Sequence, residues 1–305
     1  MDEVAMRVLV VGDGPLGQVF GLWLTEGGAS VTYLVKPGRD SWEARTLYRL
    51  RRVGRPVPRR LRPDEVLTEL ADGSWDMVWL CVSSTALRGP WLRELAEKTG
   101  DATIVSVGQD VHDRAVLGEV WPSERIVQVT PAVLAYSAPL ADEVPAPGVA
   151  YWTPPGAANG VSGERAGSVV TALRGTRTRV ARRPGAGETA AARMVPYVAA
   201  LEAAGWSLPE LRARLDLPTA AAAEAVRIVG GRTPALMRPA AGLVLRLLPR
   251  LVPFDLPRYL EAHFTKVADQ TRLMLDGWIA EGTSNELPVT RLRELRHALS
   301  AKMTS

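Results

Sequence analysis

The chain has 305 residues, 47% of them hydrophobic and 23% charged, ordinary values for a folded soluble protein and enough length for two domains, each with its own core. Its net charge of +4 rests on arginine, 33 of them against four lysines, and these are spread along the chain rather than gathered with aromatic residues, which argues against nucleic acid and for small anionic partners. The only cysteine, Cys81, excludes an internal disulfide or a Cys-based metal site, and His112, His263 and His297 are too scattered to suggest a metal.

Such cysteine usage fits a reducing cytoplasm. The first six residues lack a basic region ahead of an apolar core, so they do not read as a secretory signal. The apolar stretch Leu236 to Phe254 is interrupted by Arg238, Arg246 and Arg250 and by Pro239, Pro249 and Pro253, and does not read as a membrane span.

In chain order, Val8-Leu9-Val10-Val11 is a short buried-strand pattern that runs straight into Gly12-Asp13-Gly14-Pro15-Leu16-Gly17. This is a G-x-G-x-x-G turn, and it opens a helical pattern at Leu16, Phe20 and Leu24 that ends at Gly27-Gly28. In a dinucleotide site the first glycine turns the chain sharply, the second lets backbone approach a pyrophosphate, and the third lets the helix sit tight on the sheet. Residues 12 to 17 are therefore candidate cofactor contacts. Asp13 is the discordant member, because a carboxylate in a phosphate turn is unfavourable unless it points outward.

Ser30 to Val35 reads as the second strand of a βαβ unit. An NAD site usually carries Asp or Glu after this strand; here Lys36-Pro37-Gly38-Arg39 follows, and two cations suit the 2′-phosphate of NADPH better than the free ribose of NADH. The competing reading makes Lys36 and Arg39 solvated loop charges. Residues 41 to 62 carry Arg45, Arg49, Arg51, Arg52 and Arg55, then Arg59, Arg60 and Arg62, and read as an exposed basic helix and loop or as a field steering an anionic ligand.

Asp76 to Val82 is a strong buried strand ending at Ser83-Ser84-Thr85, so Cys81, Val82 and Ser83 should border the cofactor. A helix near Gly89 to Lys98 precedes the strand Ala102 to Val107, which leads into Gly108 and Gln109, two further candidate cofactor contacts. A helix at about 113–120, strands at 125–129 and 149–152, a helix at about 164–174 and a strand at 178–182 complete this half. The breaker run Arg183 to Gly187 marks a boundary between a dinucleotide-binding domain, 1–185, and a helical domain, 186–305, for substrate and dimerisation.

Beyond it the periodicity is helical and no strand is convincing. Met194, Val198 and Leu201 mark one helix, and Thr219 to Ala225 an Ala-rich one. Leu260, Phe264, Val267, Thr271, Met274 and Leu275 mark a long later helix, while prolines at 234, 239, 249, 253 and 257 cut the middle into short pieces. The fold class is α/β: an N-terminal Rossmann-type dinucleotide-binding domain followed by an all-helical C-terminal domain. The segment Ala235 to Phe254 is core, a homodimer face, or the lining of a site for a hydrophobic substrate.

This plan resembles the ketopantoate reductase family over nearly the whole chain. The most specific stretch is Ser106-Val107-Gly108-Gln109-Asp110-Val111-His112-Asp113 with Leu117, where the family reads approximately S-L-Q-N-G-L-G-N with a leucine four residues on. The family's functional asparagine becomes Gln109 and its glycine Asp110. Gly148-Val149-Ala150-Tyr151 and the helix after Gly163 also fall where the family has them.

The catalytic motif departs further. Where the resemblance implies W-x-K-L-x-x-N-x-x-x-N, this chain has Arg193-Met194, Tyr197 and Leu201, and arginine is a poor proton donor, although it can hold a carboxylate or polarise an oxygen. Gly282 to Glu286 keeps the family's glycine-to-glutamate spacing, which makes Glu286 a candidate substrate-binding carboxylate, while Met274 replaces a serine. On a continuous helix His263, Lys266 and Gln270 would share a face, and Lys266 would be an alternative acid. The resulting expectation is an NADPH-dependent reductase of a carbonyl or imine in a small anionic substrate. The alternatives are a redox-neutral enzyme on the same scaffold, catalysing a cyclisation, elimination or isomerisation, and a non-catalytic NADPH-binding protein.

Overall fold

The computed structural model describes residues 5–39, 44–70, 73–108, 110–183, 186–231 and 238–301. The chain divides into two compact units, one of residues 1–109 and 113–186, the other of residues 110–112 and 187–305.

In the first unit, β1 (Arg7–Val11) leads into α1 (Pro15–Glu26) and β2 (Ser30–Leu34). There follow β3 (Arg45–Arg49), β4 (Val57–Leu61), β5 (Glu65–Leu67), β6 (Met77–Leu80), α2 (Trp91–Lys98), β7 (Thr103–Ser106) and α3 (Asp113–Gly118). The unit closes with β8 (Ile126–Thr130), β9 (Leu134–Ala138), β10 (Gly148–Trp152), β11 (Asn159–Ser162), α4 (Ala166–Ala172) and β12 (Val180–Arg182). An eight-stranded sheet has the order β12-β11-β8-β7-β6-β1-β2-β5. Its pairings are parallel except β11 against β8. β1 is central, with Val8 to Val11 buried, and Val11 lies opposite Leu34 of β2 and Leu80 of β6. The chain winds outward in both directions from β1, so the crevice at its carboxyl end is the topological switch point of a Rossmann-type sheet.

A second sheet, of order β4-β3-β10-β9, packs on the other side of α1. This explains why α1 is apolar nearly all round: a helix between two sheets has no solvated face to keep polar. Phe20 meets Trp79 of β6 at a ring separation of 4.8 Å, and Trp23 sits edge-on to Tyr151 of β10 at 6.1 Å. At the end of the helix Glu26 pairs with Arg59 of β4.

The basic stretch expected as an exposed helix and loop is instead the hairpin β3–β4, in which Leu47 and Leu61 are fully buried. Arg45 and Arg49 flank Leu47 on one face and Arg59 and Arg60 are adjacent, so charge hid the period of two although Leu47 and Leu61 still pack. β5, β9 and β11 had no sequence signal strong enough to read, being three to five residues long and poor in bulky apolar side chains.

The second unit is helical: α5 (Ala186–Ala203), α6 (Leu208–Ala213), α7 (Asp216–Ile228), α8 (Arg238–Leu251), α9 (Leu256–Lys266), α10 (Ala268–Ser284) and α11 (Thr290–Ala301). Its core joins Ala191, Ala192, Val195 and Ala199 of α5, Ala221 and Ala225 of α7, Trp278 of α10 and Leu292 and Leu295 of α11. Small alanines from α5 and α7 surround the large Trp278 indole in this cluster. Two expectations are corrected here. The long later helix is two helices broken at Val267, whose φ of −120° and ψ of 28° end α9 and begin α10. Nor do all the prolines cut: Pro249 lies inside the 14-residue α8, in its last turn, and Pro239 occupies the first turn, where a missing N–H costs little. Pro234 lies outside the described residues.

Candidate dinucleotide site

The glycine turn sits at the carboxyl end of β1, and each glycine has its own steric reason. Gly12 has a φ of +99°, and a Cβ there would stand 2.8 Å from the Cys81 carbonyl oxygen and 3.1 Å from a Val82 methyl. Its N–H donates to the Leu34 carbonyl at 2.9 Å, fixing the turn to β2. A Cβ on Gly17 would collide with the Gly12 carbonyl, so the third glycine is required for α1 to start against the strand. Gly14, the N-cap of α1, has nothing within 4 Å of its Cβ direction. The middle glycine therefore borders open space at the positive end of a 12-residue helix, the arrangement that receives a pyrophosphate. Pro15 begins that helix without needing its missing N–H.

Asp13 does not point outward to solvent. Its carboxylate is largely buried and ion-paired to Arg39 at 3.1 Å and Arg45 at 3.7 Å, while its carbonyl accepts from Gln18 Nε2 at 2.8 Å. Arg39 thus stands beside the turn, tied to it, and Lys36 is exposed in the same loop, where the Arg39 N–H donates to the Lys36 carbonyl at 3.1 Å.

Cys81 and Val82 line the other side of the turn, and Cys81 N–H donates to the Val11 carbonyl at 2.9 Å. Burial pushes the Cys81 thiol up to about 12, so it is a packing group and not a nucleophile. Ser83 Oγ and Thr85 Oγ1 share a hydrogen bond of 2.9 Å, closing the loop after β6. Sequence reading missed the group beneath it. Ser84 is fully buried and donates through Oγ to Asp113 Oδ2 at 2.7 Å; Arg88 pairs with Asp113 Oδ1 at 3.2 Å and also donates to the Ser84 carbonyl. A Cβ on Gly108 would strike the same Asp113 carboxylate, so this buried cluster holds the loops after β6 and β7 in register. Gln109 lies outside the described residues.

Of the three candidates for chemistry, Arg193 is on α5, Lys266 on α9 and Glu286 in the connection between α10 and α11. Arg193 is half-buried on α5, and Tyr197, one turn on, shares a 3.0 Å hydrogen bond with Thr219 of α7. Leu201, at the position of an expected asparagine, is buried in an apolar cluster with Leu208, Leu211 and Leu215. Lys266 is exposed at the last turn of α9, and the break at Val267 removes the continuous face with Gln270. His263, on the same helix, stacks on Tyr259, and its pKa is lowered by burial and by the Lys266 charge. Glu286 is exposed just beyond α10 in a left-handed conformation, φ 56°. Among the described residues no group of three His, Cys, Asp or Glu side chains is placed to hold a metal, and no helix is long and apolar enough to cross a membrane.

No protein-family model and no curated protein matches the sequence. Solved structures do match. The 2-dehydropantoate 2-reductase of Geobacter metallireducens GS-15 superposes with a TM-score of 0.72 at 13% identity, over 97% of this chain and 100% of the other. A D-mandelate dehydrogenase in ternary complex with NADH and anilino(oxo)acetate gives 0.68 at 13% identity, over 97% and 98%. The dimeric ketopantoate reductase of Staphylococcus aureus gives 0.64 at 10% identity, over 97% and 98%. With a switch-point glycine turn on a Rossmann-type sheet and an all-helical second unit, this chain has the fold of the ketopantoate reductases.

Proposed function

We propose that this protein is a ketopantoate-reductase-like oxidoreductase that uses NADPH to reduce a carbonyl or imine group of a small anionic substrate. The observation that carries the reading is Gly14, open at the N-terminus of α1, between two glycines that the backbone requires. In this reading Gly12, Asp13, Gly14, Pro15, Leu16 and Gly17 receive the pyrophosphate through backbone. Cys81, Val82, Ser83 and Gly108 border the rest of the dinucleotide, and Lys36 and Arg39 meet the 2′-phosphate. When bound, the reduced nicotinamide supplies hydride to the electrophilic carbon. The chain's part is to hold the substrate anion and stabilise the oxygen or nitrogen that gains charge. Arg193, with its planar forked guanidinium, suits the first role, Lys266 suits proton donation, and Glu286 suits a substrate hydroxyl or ammonium. Residues 1–185 form the cofactor domain in this reading and residues 186–305 the substrate and dimerisation domain, and a single free thiol suits a reducing cytoplasm.

The test follows NADPH absorbance at 340 nm with 2-oxo acids, aldehydes and imines, in wild type and in Lys266→Met and Arg193→Met. Reduction that survives both substitutions removes them from the chemistry, and no oxidation with any substrate removes the reductase reading. One observation favours a second reading: Leu201 is packed in the core and cannot stand in for a substrate-binding asparagine. A scaffold without that group suits a redox-neutral conversion or cofactor sensing, distinguished by turnover without loss of NADPH or by binding without turnover.

The reading includes a homodimer. On α8, Leu243, Val244, Leu247 and Leu251 form an apolar stripe exposed by 42 to 57%, flanking the buried Ala241 on one side, with Arg246 and Arg250 along the far edge. The Staphylococcus aureus structure is that of a dimer. Sedimentation equilibrium of wild type and Leu247→Glu decides it: a wild-type monomer at micromolar concentration removes the dimer.

A further inference from the structure

We infer that Arg45, together with Asp13, is a specificity-determining pair for the adenosine 2′-phosphate, with Asp13 acting as a positioning residue. This rests on the dinucleotide reading above and adds Arg45 to it, with a side-chain role for Asp13. Arg45 begins β3 in the second sheet, thirty-two residues of sequence past Asp13, yet its guanidinium stands 3.7 Å from Asp13 Oδ2 while Arg39 holds Oδ1 at 3.1 Å. The carboxylate is nine-tenths buried, whereas Arg39 and Arg45 keep 63% and 39% of their side chains exposed, so both cations face solvent across the rim of the turn.

The charges explain why an acid is present in a phosphate turn. Asp13 is outnumbered by Arg39 and Arg45, and Lys36 adds a third cation to the same rim, leaving it net positive. Asp13 spends its charge on holding two long side chains, each of which would otherwise lose rotamer freedom on meeting a ligand. The two guanidiniums, ion-paired to the turn and partly exposed, stand at the carboxyl end of β1, the crevice in which a dinucleotide fold holds its ligand. A dianionic 2′-phosphate gains from this arrangement and a neutral 2′-hydroxyl does not.

Positioning and bulk charge make opposite predictions for Asp13→Asn. Removing a negative charge raises the local positive potential, which by itself tightens an anion; releasing the two arginines loosens it. Titrations of the full-length protein with NADPH, NADH and adenosine 2′,5′-bisphosphate, read by calorimetry, separate the two. Arg45→Gln is expected to weaken NADPH and the bisphosphate by about tenfold and leave NADH unchanged, and Arg45→Lys to recover part of the loss. Asp13→Asn is expected to lower the ratio of NADPH to NADH affinity despite the added positive charge. Thermal melting within a few degrees of wild type shows that the fold is retained, and Arg39→Gln serves as a second variant should Arg45 variants melt early. Equal effects of Arg45→Gln on both cofactors, or none, overturn the assignment of Arg45. A rise in NADPH preference in Asp13→Asn overturns the positioning role. Wild type that binds neither dinucleotide overturns the functional reading itself, and this inference with it.

Discussion

Gly17 approaches Gly12 so closely that a Cβ on the first would overlap the carbonyl oxygen of the second, and the same Cβ would lie 3.1 Å from the Cys81 Cβ. Gly14, between them, meets nothing. The two positions separate stability from binding. Gly17→Ala is expected to destabilise the protein by about 1–3 kcal/mol, because backbone must move to admit the methyl. Gly14→Ala is expected to change stability by less than about 1 kcal/mol while blocking the close approach of a pyrophosphate. Denaturant midpoints and NADPH titrations of the two variants check this, and a Gly14→Ala protein that binds NADPH like wild type refutes the placement of the phosphate.

Asp113 is fully buried between the Ser84 hydroxyl and the Arg88 guanidinium. Asp113→Ala is expected to cost about 3–5 kcal/mol, the range for removing one partner of a buried charge pair, while Asp113→Asn retains an acceptor for Ser84 and should cost less. Urea unfolding of both variants gives the comparison. Equal costs would mean that the charge on Asp113 contributes little.

Alkaline pH should unfold the protein through groups that hold their protons more tightly when folded. Burial raises Cys81 from 9.0 to about 12 and Tyr151 from 10.0 to about 12, and pushes Tyr33, whose hydroxyl donates to the Gly17 carbonyl, well upward as well. Above pH 9 the unfolded chain releases these protons first, so it binds fewer of them than the folded chain and stability falls. Each group removes about 1.4 kcal/mol per pH unit between its unfolded and folded pKa. The decline is therefore expected to begin near pH 9 and steepen above pH 10. Denaturant midpoints at pH 8, 9.5 and 11 follow it, and an unchanged midpoint at pH 11 contradicts the burial of these groups.

Glu286 occupies the left-handed position that closes α10, where the Leu287 N–H donates to the Gly282 carbonyl at 2.8 Å and the Glu286 N–H to the Thr283 carbonyl at 3.3 Å. Glycine is the residue suited to that position. Glu286→Gly is expected to stabilise the protein by about 1 kcal/mol. A simultaneous rise in KM would show that the glutamate is retained for substrate at a cost in stability. A higher melting temperature with unchanged kinetics would leave Glu286 only its place at the helix end.

Much of the first sheet was readable because its strands are continuous apolar runs between polar or glycine residues, as in Val8 to Val11 and Met77 to Leu80. The glycine turn was readable for the same reason, since each of its residues answers a local steric demand. The hairpin of Arg45 to Leu61 was not. Its strand character comes from Leu47 and Leu61 packing in a sheet whose other strands, β9 and β10, lie some ninety residues later. Lys266 and Gln270 illustrate the opposite error, in which a fair helical period over 260–275 continued through Val267, where the backbone turns.

The sequence by itself determined the Rossmann-type start, the change to helix after residue 187 and the likeness in plan to ketopantoate reductases, because strand, turn and helix patterns are written in neighbouring residues. Only the tertiary structure decided where the charges went. Asp13 meets Arg39 and Arg45, and Asp113 meets Ser84 and Arg88, across 25 to 32 residues of sequence. An ion pair is fixed by how sheets and loops bring distant positions together, and nothing in the local pattern of either partner specifies the other.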